Sequence, residues 1–170
     1  FTISEGHLMC LPEQLEDEFK SCLELAIYML KTLGLYEDVS YRFSQWDPED
    51  SEKYIGTKEQ WDEAQGIMGK ILDHLEIPYE IGIGEAAFYG PKLDIQIKNV
   101  FGKEDTLITI QVDQMLAEKF GMEYTDRDGS KKNPYIIHRT SIGCYERTLA
   151  YLIEKFAGAF PTWLAPTQVK

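Results

Sequence analysis

The chain has 170 residues, enough for one domain with a substantial core or for part of a larger one. Its formal net charge of −12 argues against the broad basic face of a free-standing nucleic-acid binder, although it leaves room for a small basic pocket. The three cysteines form an odd, sparse set, which indicates no disulfide framework and a reducing compartment, so we expect a cytoplasmic protein. No stretch is long and apolar enough to span a bilayer, so we expect no membrane partner.

The first half of the chain predicts strands and helices in alternation. Residues 1–9 favour an extended strand, and residues 12–34 repeat apolar side chains at three and four positions, as an amphipathic helix does. Alternation of apolar and polar residues over 37–46 predicts a second strand. Thr57, followed three residues later by Gln60, is typical of a capped helix N-terminus and predicts a second amphipathic helix.

The second half of the chain is rich in strand patterns. Residues 93–100 and 106–114 flank a short polar loop, which predicts a hairpin, and Asp128 with Gly129 predicts another turn. A short strand at 135–138 precedes a helix that starts after a turn at Gly143. Helices interspersed with antiparallel hairpins favour an α+β fold, an antiparallel sheet flanked by helices, over a regular parallel βαβ winding.

The joint between that last strand and helix carries unusual charge. Glu146 is favourable near a helix N-terminus, but the helix dipole disfavours Arg147 there, which makes Arg147 a candidate for aromatic stacking or phosphate binding. From spacing alone, a surface ion pair between Arg147 and Glu146 or another carboxylate ranks higher. A lone histidine is usually a surface or hydrogen-bonded core residue, so His7 and His138 by themselves are weak evidence for a metal site.

Two further segments hold candidate functional residues. Tyr89 and Lys92 flank a Gly-Pro turn, for which the ordinary interpretation is an aromatic plug beside a solvated lysine. Gln111 lies in an otherwise apolar strand and needs a hydrogen-bond partner if it is buried. Asp113 is one candidate partner, and ordinary polarity at a strand end is the other interpretation of Asp113.

Three stretches of the sequence resemble one protein family. "GCYERTLAYLIE", residues 143–154, is similar to the third signature motif of class II aminoacyl-tRNA synthetases. The wider "PYIIHRTSIGCYERTLAYLIEKFAGAFPTWLAP", together with "GEAAFYGPKLDIQIK" and "FTISEGHLMCLPEQ", resembles threonyl-tRNA synthetases in family order along nearly the whole chain. The resemblance implies part of a class II catalytic domain over residues 1–165, from the end of the second motif through the third. Residues 166–170 would then begin an anticodon-binding domain, so we expect a piece of a longer protein.

The resemblance also implies an activity and its partners. The expected enzyme is a threonine–tRNA ligase, which uses ATP to form threonyl-adenylate and then transfers threonine to the 3′ end of its tRNA. Its partners would be threonine, ATP and tRNA, its cofactors Mg²⁺ with ATP and Zn²⁺ at the threonine, and the parent protein would be a homodimer.

The resemblance further implies roles for individual residues. Arg147 would stack on the adenine of ATP and Lys92 would lie near the phosphates, so both are expected catalytic residues, and Glu146 would join them in the nucleotide site. Glu5, Tyr89 and Gln111 would contact threonine. His7 and His138 would supply two zinc ligands, and the third, a cysteine, would lie outside this chain.

Several positions depart from the common form of this family. Glu5 stands where aspartate is usual, and Ile3 and Thr106 stand where glutamine is common. These departures support a rival interpretation, a non-catalytic paralogue that acts as a binding module. A class II ligase for serine or proline is disfavoured, because His7 and His138 match the zinc-dependent family. Since two ligands hold zinc poorly, we expect the 170-residue chain alone to be metal-free and nearly inactive.

Overall fold

A computed structural model describes the whole chain, residues 1–170, as a six-stranded sheet with helices packed on it. The strands of this sheet are β1 (Ile3–Cys10), β2 (Val39–Gln45), β3 (Tyr79–Ile83), β4 (Lys92–Lys98), β5 (Glu104–Asp113) and β8 (Tyr135–Cys144). A separate hairpin consists of β6 (Tyr124–Thr125) and β7 (Lys131–Lys132). The helices are α1 (Leu15–Leu33), α2 (Lys58–His74), the single turn α3 (Leu116–Lys119) and α4 (Tyr145–Phe156). None of these helices combines the length and apolar character that crossing a membrane requires.

The strand order in the large sheet is β1-β8-β5-β4-β2-β3. Every neighbouring pair is antiparallel except β2 and β3, which are parallel. Parallel neighbours need a crossover connection, and α2 lies in that connection. The predicted fold class, an antiparallel sheet flanked by helices, is therefore confirmed, with one βαβ unit added at the edge of the sheet.

The two faces of the sheet differ sharply in chemistry because side chains alternate along each strand. On one face the apolar residues of β4 and β5 join the buried stripes of α1 and α2 and part of α4 in one core. The strand residues of this core include Leu93, Ile95, Ile108, Ile110 and Ile137. The alternate positions of the same strands carry polar side chains and form the opposite face of the sheet, which we call the open face. This is the face on which chemistry can occur.

Both long helices lie where the sequence predicts, although α1 begins at Leu15, after a 3-10 turn at Pro12–Gln14, and not at residue 12. Thr57 and Gln60 form a reciprocal capping box at the start of α2. Gly34 ends α1 with a left-handed φ of 72°, which glycine adopts without the cost that a Cβ would impose. The cores of both helices match the predicted apolar stripes, since Phe19, Ala26 and Met68 are essentially inaccessible to solvent.

Strand β8 is longer than the sequence predicts. The sequence predicts a short strand ending at His138, but the strand runs on to Cys144 and pairs with both β1 and β5. The polar residues that follow His138 hide this strand in the sequence, because they interrupt the apolar pattern typical of a strand. Gly143 has a φ of 68°, and a Cβ there would lie 1.8 Å from the carbonyl oxygen of Leu107, so only glycine lets α4 start so close to β5.

A second, smaller apolar cluster lies beside the open face. It consists of Trp46, Tyr54, Trp61, Ala86 and Met115. The rings of Trp46 and Trp61 stack with centroids 5.5 Å apart, and the indole N–H of Trp61 donates to the carbonyl of Ile55. Because Ala86 and Met115 flank two loops that reach the open face, this cluster fixes both loops relative to the sheet.

Candidate active site

A row of functional side chains crosses four neighbouring strands on the open face. His7 of β1 is directly opposite His138 of β8, His138 is opposite Gln111 of β5, and Gln111 is opposite Lys92 of β4. Residues paired in this way share one face and lie about 5 Å apart from strand to strand. The sheet register therefore brings together four residues that are far apart in sequence.

The two histidines are in contact at one end of this row. Their ring centroids are 4.6 Å apart, with the rings nearly perpendicular. Glu5 lies on the same face two residues before His7, and its Oε1 is 3.5 Å from Nε2 of His7. One donor atom from each of Glu5, His7 and His138 falls within 4.8 Å of the others. Imidazole nitrogens with a carboxylate oxygen are donors that zinc accepts, so the chemistry of this cluster fits that ion.

A buried carboxylate orients His138. Asp113 is inaccessible to solvent, and its Oδ2 lies 3.0 Å from Nε2 of His138. Its Oδ1 accepts from the backbone N–H groups of Met115 and Leu116, both at 2.9 Å. These bonds satisfy the charge of Asp113 and fix its position, which in turn fixes the ring of His138.

Tyr89 covers the same histidine from the loop between β3 and β4. Its ring centroid is 4.9 Å from that of His138, and its hydroxyl donates to Oε1 of Gln111. Burial, helped by the negative charges of Asp113 and Glu5, raises the pKa of Tyr89 to about 12. Tyr89 therefore keeps its proton near neutral pH and acts as a hydrogen-bond donor.

Gly90 explains how this loop can lie so close to the sheet. A Cβ at Gly90 would be 2.0 Å from the carbonyl oxygen of Val112, so any other residue would push the loop off β5. Pro91 follows, and its carbonyl accepts from the N–H of Val112 at 3.1 Å. The Gly-Pro turn therefore anchors Tyr89 and Lys92 on either side of β5.

Lys92 is held by a buried polar network. Its Nζ lies 2.5 Å from Oδ2 of Asp94, which is itself buried. The hydroxyls of Ser44 and Thr109 donate to the two oxygens of Asp94, at 2.7 Å and 2.8 Å. The ordinary interpretation of Lys92 as a solvated loop residue is wrong, because its ammonium group is fixed on the open face.

Arg147 reaches the open face from the first turn of α4. Its Nη1 donates to the backbone carbonyl of Thr106 at 2.6 Å, while the side chain itself is exposed. It has no carboxylate within ion-pair distance, so the surface ion pair favoured from spacing alone is wrong. The guanidinium and Lys92 line the same cavity of about 620 Å³, whose wall includes Ile3, Thr106 and Thr140.

Glu146 does not line this cavity. Its two carboxylate oxygens accept from the backbone N–H of Thr2, at 3.1 Å and 2.9 Å, and the thiol of Cys144 donates to it at 3.2 Å. The backbone bond to Thr2 is the main reason that the pKa of Glu146 falls to about 2. Glu146 thus ties the start of β1 to the start of α4.

One protein family matches most of this chain. Residues 1–156 match the family model described as the tRNA synthetase class II core domain (G, H, P, S and T). The chain belongs to this class II synthetase core family.

Individual relatives have a more specific description than the family model. The chain is 64% identical over 170 residues to a threonine–tRNA ligase of Clostridium perfringens, covering 100% of this chain and 26% of that protein. It is 45% identical over 169 residues to a threonine–tRNA ligase of Staphylococcus carnosus, covering 99% of this chain and again 26% of that protein. The chain thus spans about a quarter of the length of these curated relatives.

A solved structure also matches along nearly the whole chain. It is described as the RNA binding domain of a threonyl-tRNA synthetase from Cryptosporidium parvum, with 31% identity and a TM-score of 0.86. The match covers 98% of this chain and 40% of that one. The resemblance to threonyl-tRNA synthetases, first noted in three sequence stretches, is confirmed.

Sequence reasoning missed part of the class II site. The sequence offers Asp113 as a partner for Gln111, but in the structure Gln111 pairs with Tyr89 and Asp113 holds His138. Asp94 is not among the residues predicted from the sequence, although a carboxylate inside the strictly alternating stretch "LDIQIK" is a usable signal. The alternation places Asp94 on the same face of β4 as Lys92, two residues earlier. A carboxylate in that position can form an ion pair with the lysine and hold it in place.

Proposed function

We propose that the protein to which this chain belongs is a threonine–tRNA ligase, which activates threonine with ATP and transfers it to the 3′ end of its tRNA. One observation carries the proposal. The sheet register places four side chains in a single row across the open face: His7, His138, Gln111 and Lys92. At the Lys92 end of this row lies the cavity that Lys92 lines together with Arg147. A metal-binding end and a phosphate-binding end on one face are what joining an amino acid to ATP requires.

At the histidine end, His7 and His138 would hold zinc, with a cysteine from elsewhere in the protein as the third ligand. A zinc ion with three protein ligands keeps an open position that the amino and hydroxyl groups of threonine can fill. Valine has the same shape but lacks the hydroxyl, so this chemistry would discriminate against it. The fixed ring of His138 beside buried Asp113 supports this assignment.

The threonine site would be completed by Glu5, Tyr89 and Gln111. Tyr89 already donates to Gln111, which leaves the amide N–H groups of Gln111 available to a ligand on the open face. Glu5 lies beside His7 and offers a carboxylate to the amino group of threonine. These three side chains surround the histidine pair, so a small amino acid there would contact all of them.

At the other end, Arg147 would stack on the adenine and Lys92 would neutralise phosphate charge, with Mg²⁺ accompanying the ATP. No general base is needed, because the carboxylate of threonine is itself the nucleophile that attacks the α-phosphate. Arg147 and Lys92 would therefore act by positioning ATP and stabilising charge. We include Glu146 in this nucleotide site because it holds α4, and with it Arg147, against β1.

The proposal also covers the remainder of the protein. We assign residues 1–165 to part of a class II catalytic domain and residues 166–170 to the start of an anticodon-binding domain, although 166–170 form no strand in this chain. The whole protein would be a homodimer that binds tRNA. We propose that the 170-residue chain alone has little or no ligase activity, since it spans about a quarter of its curated relatives.

A second candidate is a non-catalytic paralogue that keeps the fold as a binding module. The observation that favours it is the cavity wall, where Ile3 and Thr106 stand in place of the glutamines common in the family. Thr106 turns its hydroxyl away to Gln96, at 3.0 Å, so its side chain offers little to a nucleotide.

Threonine-dependent exchange of pyrophosphate into ATP, measured on the full-length protein, separates the two candidates. The ligase should exchange with threonine and not with valine, and His138→Ala should remove both the exchange and the bound zinc. His74→Ala is the matched control, because His74 is an exposed histidine on α2 far from the open face. Exchange that is absent in the wild-type protein, with zinc present, would favour the binding module.

A further inference from the structure

Two carboxylates are buried in this protein, and both lie on the open face. Asp113 is inaccessible to solvent, and Asp94 is only 1% exposed. Asp113 fixes the ring of His138 in the row of functional side chains. Asp94 lies beside Lys92 at the end of that row, and the proposed function gives it no task. Because burying a carboxylate is costly and a buried ion pair is weak evidence for stability, Asp94 is a candidate for a role in the site.

We propose that Asp94 is a positioning residue for adenylate formation. It holds the ammonium group of Lys92 between the threonine site and the nucleotide cavity, next to the α-phosphate of ATP. The inference rests on the proposed function for the role of Lys92. Asp94 itself does not line the cavity, so it acts through the lysine without touching a substrate.

The carboxylate of Asp94 is fixed by hydroxyl groups as well as by the lysine. The hydroxyl of Ser44 donates to Oδ2 at 2.7 Å, and the hydroxyl of Thr109 donates to Oδ1 at 2.8 Å. Ser44 belongs to β2 and Thr109 to β5, so the two strands that flank β4 hold the carboxylate from both sides. Since a hydroxyl brings no charge, Lys92 is the only cation that balances Asp94 within ion-pair distance.

Lys92 is more confined than the other lysines that form ion pairs. Its side chain is 19% exposed, whereas the five others are between 34% and 73% exposed. An ammonium group has three N–H donors, and Asp94 accepts one of them, so two remain for phosphate oxygens. A free lysine side chain loses rotamer entropy when a ligand orders it. Here the folded protein orders it before ATP binds, as preorganised catalysis requires.

The place of Lys92 in the row brings it to the reacting atoms. Lys92 is directly opposite Gln111 of the proposed threonine site, and it lines the nucleotide cavity with Arg147. The carboxylate oxygen of threonine bonds to the α-phosphorus while the bond to pyrophosphate breaks, and no proton is transferred. Charge is redistributed over the α-phosphoryl oxygens in the transition state, so a fixed cation there stabilises the transition state more than bound ATP. Asp94 should therefore affect kcat more than the KM for ATP.

The test is threonine-dependent exchange of pyrophosphate into ATP by the full-length protein. Asp94→Asn keeps the size of the side chain and one acceptor oxygen but removes the charge that holds Lys92. We expect kcat to fall about 10–100-fold, the effect of a misplaced catalytic group, with a KM for ATP within about twofold of the wild-type value. Asp38→Asn is the control, because Asp38 pairs with Lys155 outside the nucleotide cavity, and it should leave both constants unchanged.

A double-mutant cycle separates positioning from a purely structural role. Lys92→Ala should lower kcat at least as much as Asp94→Asn, since it removes the cation itself. If Asp94 acts only through Lys92, adding Asp94→Asn to Lys92→Ala should lower kcat no further. Losses that multiply in the double variant would give Asp94 a structural role alone and overturn the proposal. Wild-type kcat in Asp94→Asn would overturn it as well.

A milder variant covers the case in which Asp94→Asn does not fold, as judged by circular dichroism. Ser44→Ala removes one donor to Asp94 and leaves the ion pair with Lys92 intact. Because the carboxylate is then less firmly held, kcat should fall about 2–5-fold while the KM for ATP stays the same. A wild-type kcat in Ser44→Ala would then overturn the proposal.

The outcome is separable from that of the ligase proposal. If the wild-type protein exchanges pyrophosphate and Asp94→Asn does so equally well, only the role of Asp94 falls. If the wild-type protein does not exchange, the ligase falls, and crystal structures of the full-length wild-type and Asp94→Asn proteins decide the role of Asp94. An ammonium group of Lys92 that leaves its place beside the cavity in Asp94→Asn supports positioning, and one that stays there overturns it.

Discussion

The two ends of the open face are built in different ways. The histidine end (Glu5, His7, Tyr89, Gln111 and His138) stands on strand positions and one anchored loop, and the side chain of His138 is only 13% exposed. The nucleotide end (Lys92, Thr106 and Arg147) depends on a helix, and exposed Arg147 is held by one bond to a backbone carbonyl. The first end is rigid because the sheet register sets it, whereas at the second end the position of Arg147 depends on how α4 packs on the sheet.

This difference predicts where each end is vulnerable. Changes at the histidine end should alter ligand affinity without moving the backbone, since Asp113 and the register hold it. Changes at the nucleotide end should act through the docking of α4 on β5. Four variants test this contrast, from the largest expected effect to the smallest.

Gly143→Ala should be the most damaging of them. A Cβ at Gly143 would lie 1.8 Å from the carbonyl oxygen of Leu107, and the residue has a positive φ. The backbone clash and the left-handed conformation together should cost about 2–4 kcal/mol of unfolding free energy. Urea denaturation measures the loss, and protection of the α4 amides from hydrogen exchange should fall with it.

Gly121→Ala separates the two causes of that loss. Gly121 has a similar φ of 63°, but a Cβ there meets nothing within 4 Å. Its substitution should therefore cost only the backbone term, about 1 kcal/mol. Equal losses in the two variants would mean that the contact of α4 with β5 is looser than the structure shows.

Asp113→Asn should come next, and its effect should be confined to the histidine end. One amide oxygen can still accept from Met115 and Leu116, but an N–H group now faces His138 in place of an acceptor. Loss of such a partner typically weakens metal binding 10–100-fold. Zinc affinity of the full-length protein, by competition with a chromophoric chelator, measures the effect, with little change expected in the melting temperature.

Asp73→Asn is the control for that variant. Asp73 accepts from the hydroxyl of Tyr79 at 2.9 Å, outside the open face. The full-length protein carrying Asp73→Asn should bind zinc with the affinity of the wild-type full-length protein. A wild-type affinity in Asp113→Asn as well would mean that the ring of His138 does not depend on Asp113.

Sequence patterns were sufficient for the elements whose signal is local. The stripe of α1, the capping box of α2 and the alternation of β4 each depend on neighbours within a few residues, and each is present as predicted. The fold class followed from those elements. The candidate residues followed mainly from family resemblance, because nothing in their spacing places His7 beside His138.

The parts that could not be predicted are non-local. Parallel pairing of β2 with β3 depends on which edge of the sheet is free. The residues of these two strands do not indicate which edge that is. Burial of Asp113 and Asp94 depends on partners from other parts of the chain. In the sequence of its own strand alone, each therefore resembles a carboxylate on the surface. The polar end of β8 is also non-local. Its residues resemble a loop in the sequence, and they form a strand because β8 pairs with β1 and β5.

Arg147→Lys tests the nucleotide end of the full-length protein. A lysine keeps the charge but loses the flat stacking face and the fixed fork of donors. We expect a KM for ATP about 5–10-fold higher, near the 1 kcal/mol that an exposed cation–π contact contributes. Arg127→Lys, in the turn between β6 and β7, is the matched control and should leave the KM unchanged. An unchanged KM in Arg147→Lys would remove the stacking role.

Glu146→Gln should have the smallest effect, with a distinctive dependence on pH. The folded pKa of Glu146 is about 2, against an ordinary value of 4.5, so the folded state favours the ionised carboxylate. The stability that this carboxylate adds is fully present above pH 4.5 and is lost as the pH falls from there through 2. The melting temperature of the wild-type chain should exceed that of Glu146→Gln near neutral pH, and the two should converge in acid.

A second carboxylate shows whether that convergence is specific. Glu24 is exposed on α1, and its only ion-pair partner is Lys20 at 4.0 Å, so Glu24→Gln should melt with the wild-type chain at every pH. If Glu146→Gln also follows the wild-type chain throughout, the bonds from Glu146 to Thr2 add nothing to stability. The link between the sheet and α4 would then rest on its other contacts, such as the bond from the N–H of Tyr145 to the carbonyl of Thr2 and that from the hydroxyl of Tyr151 to Asp105.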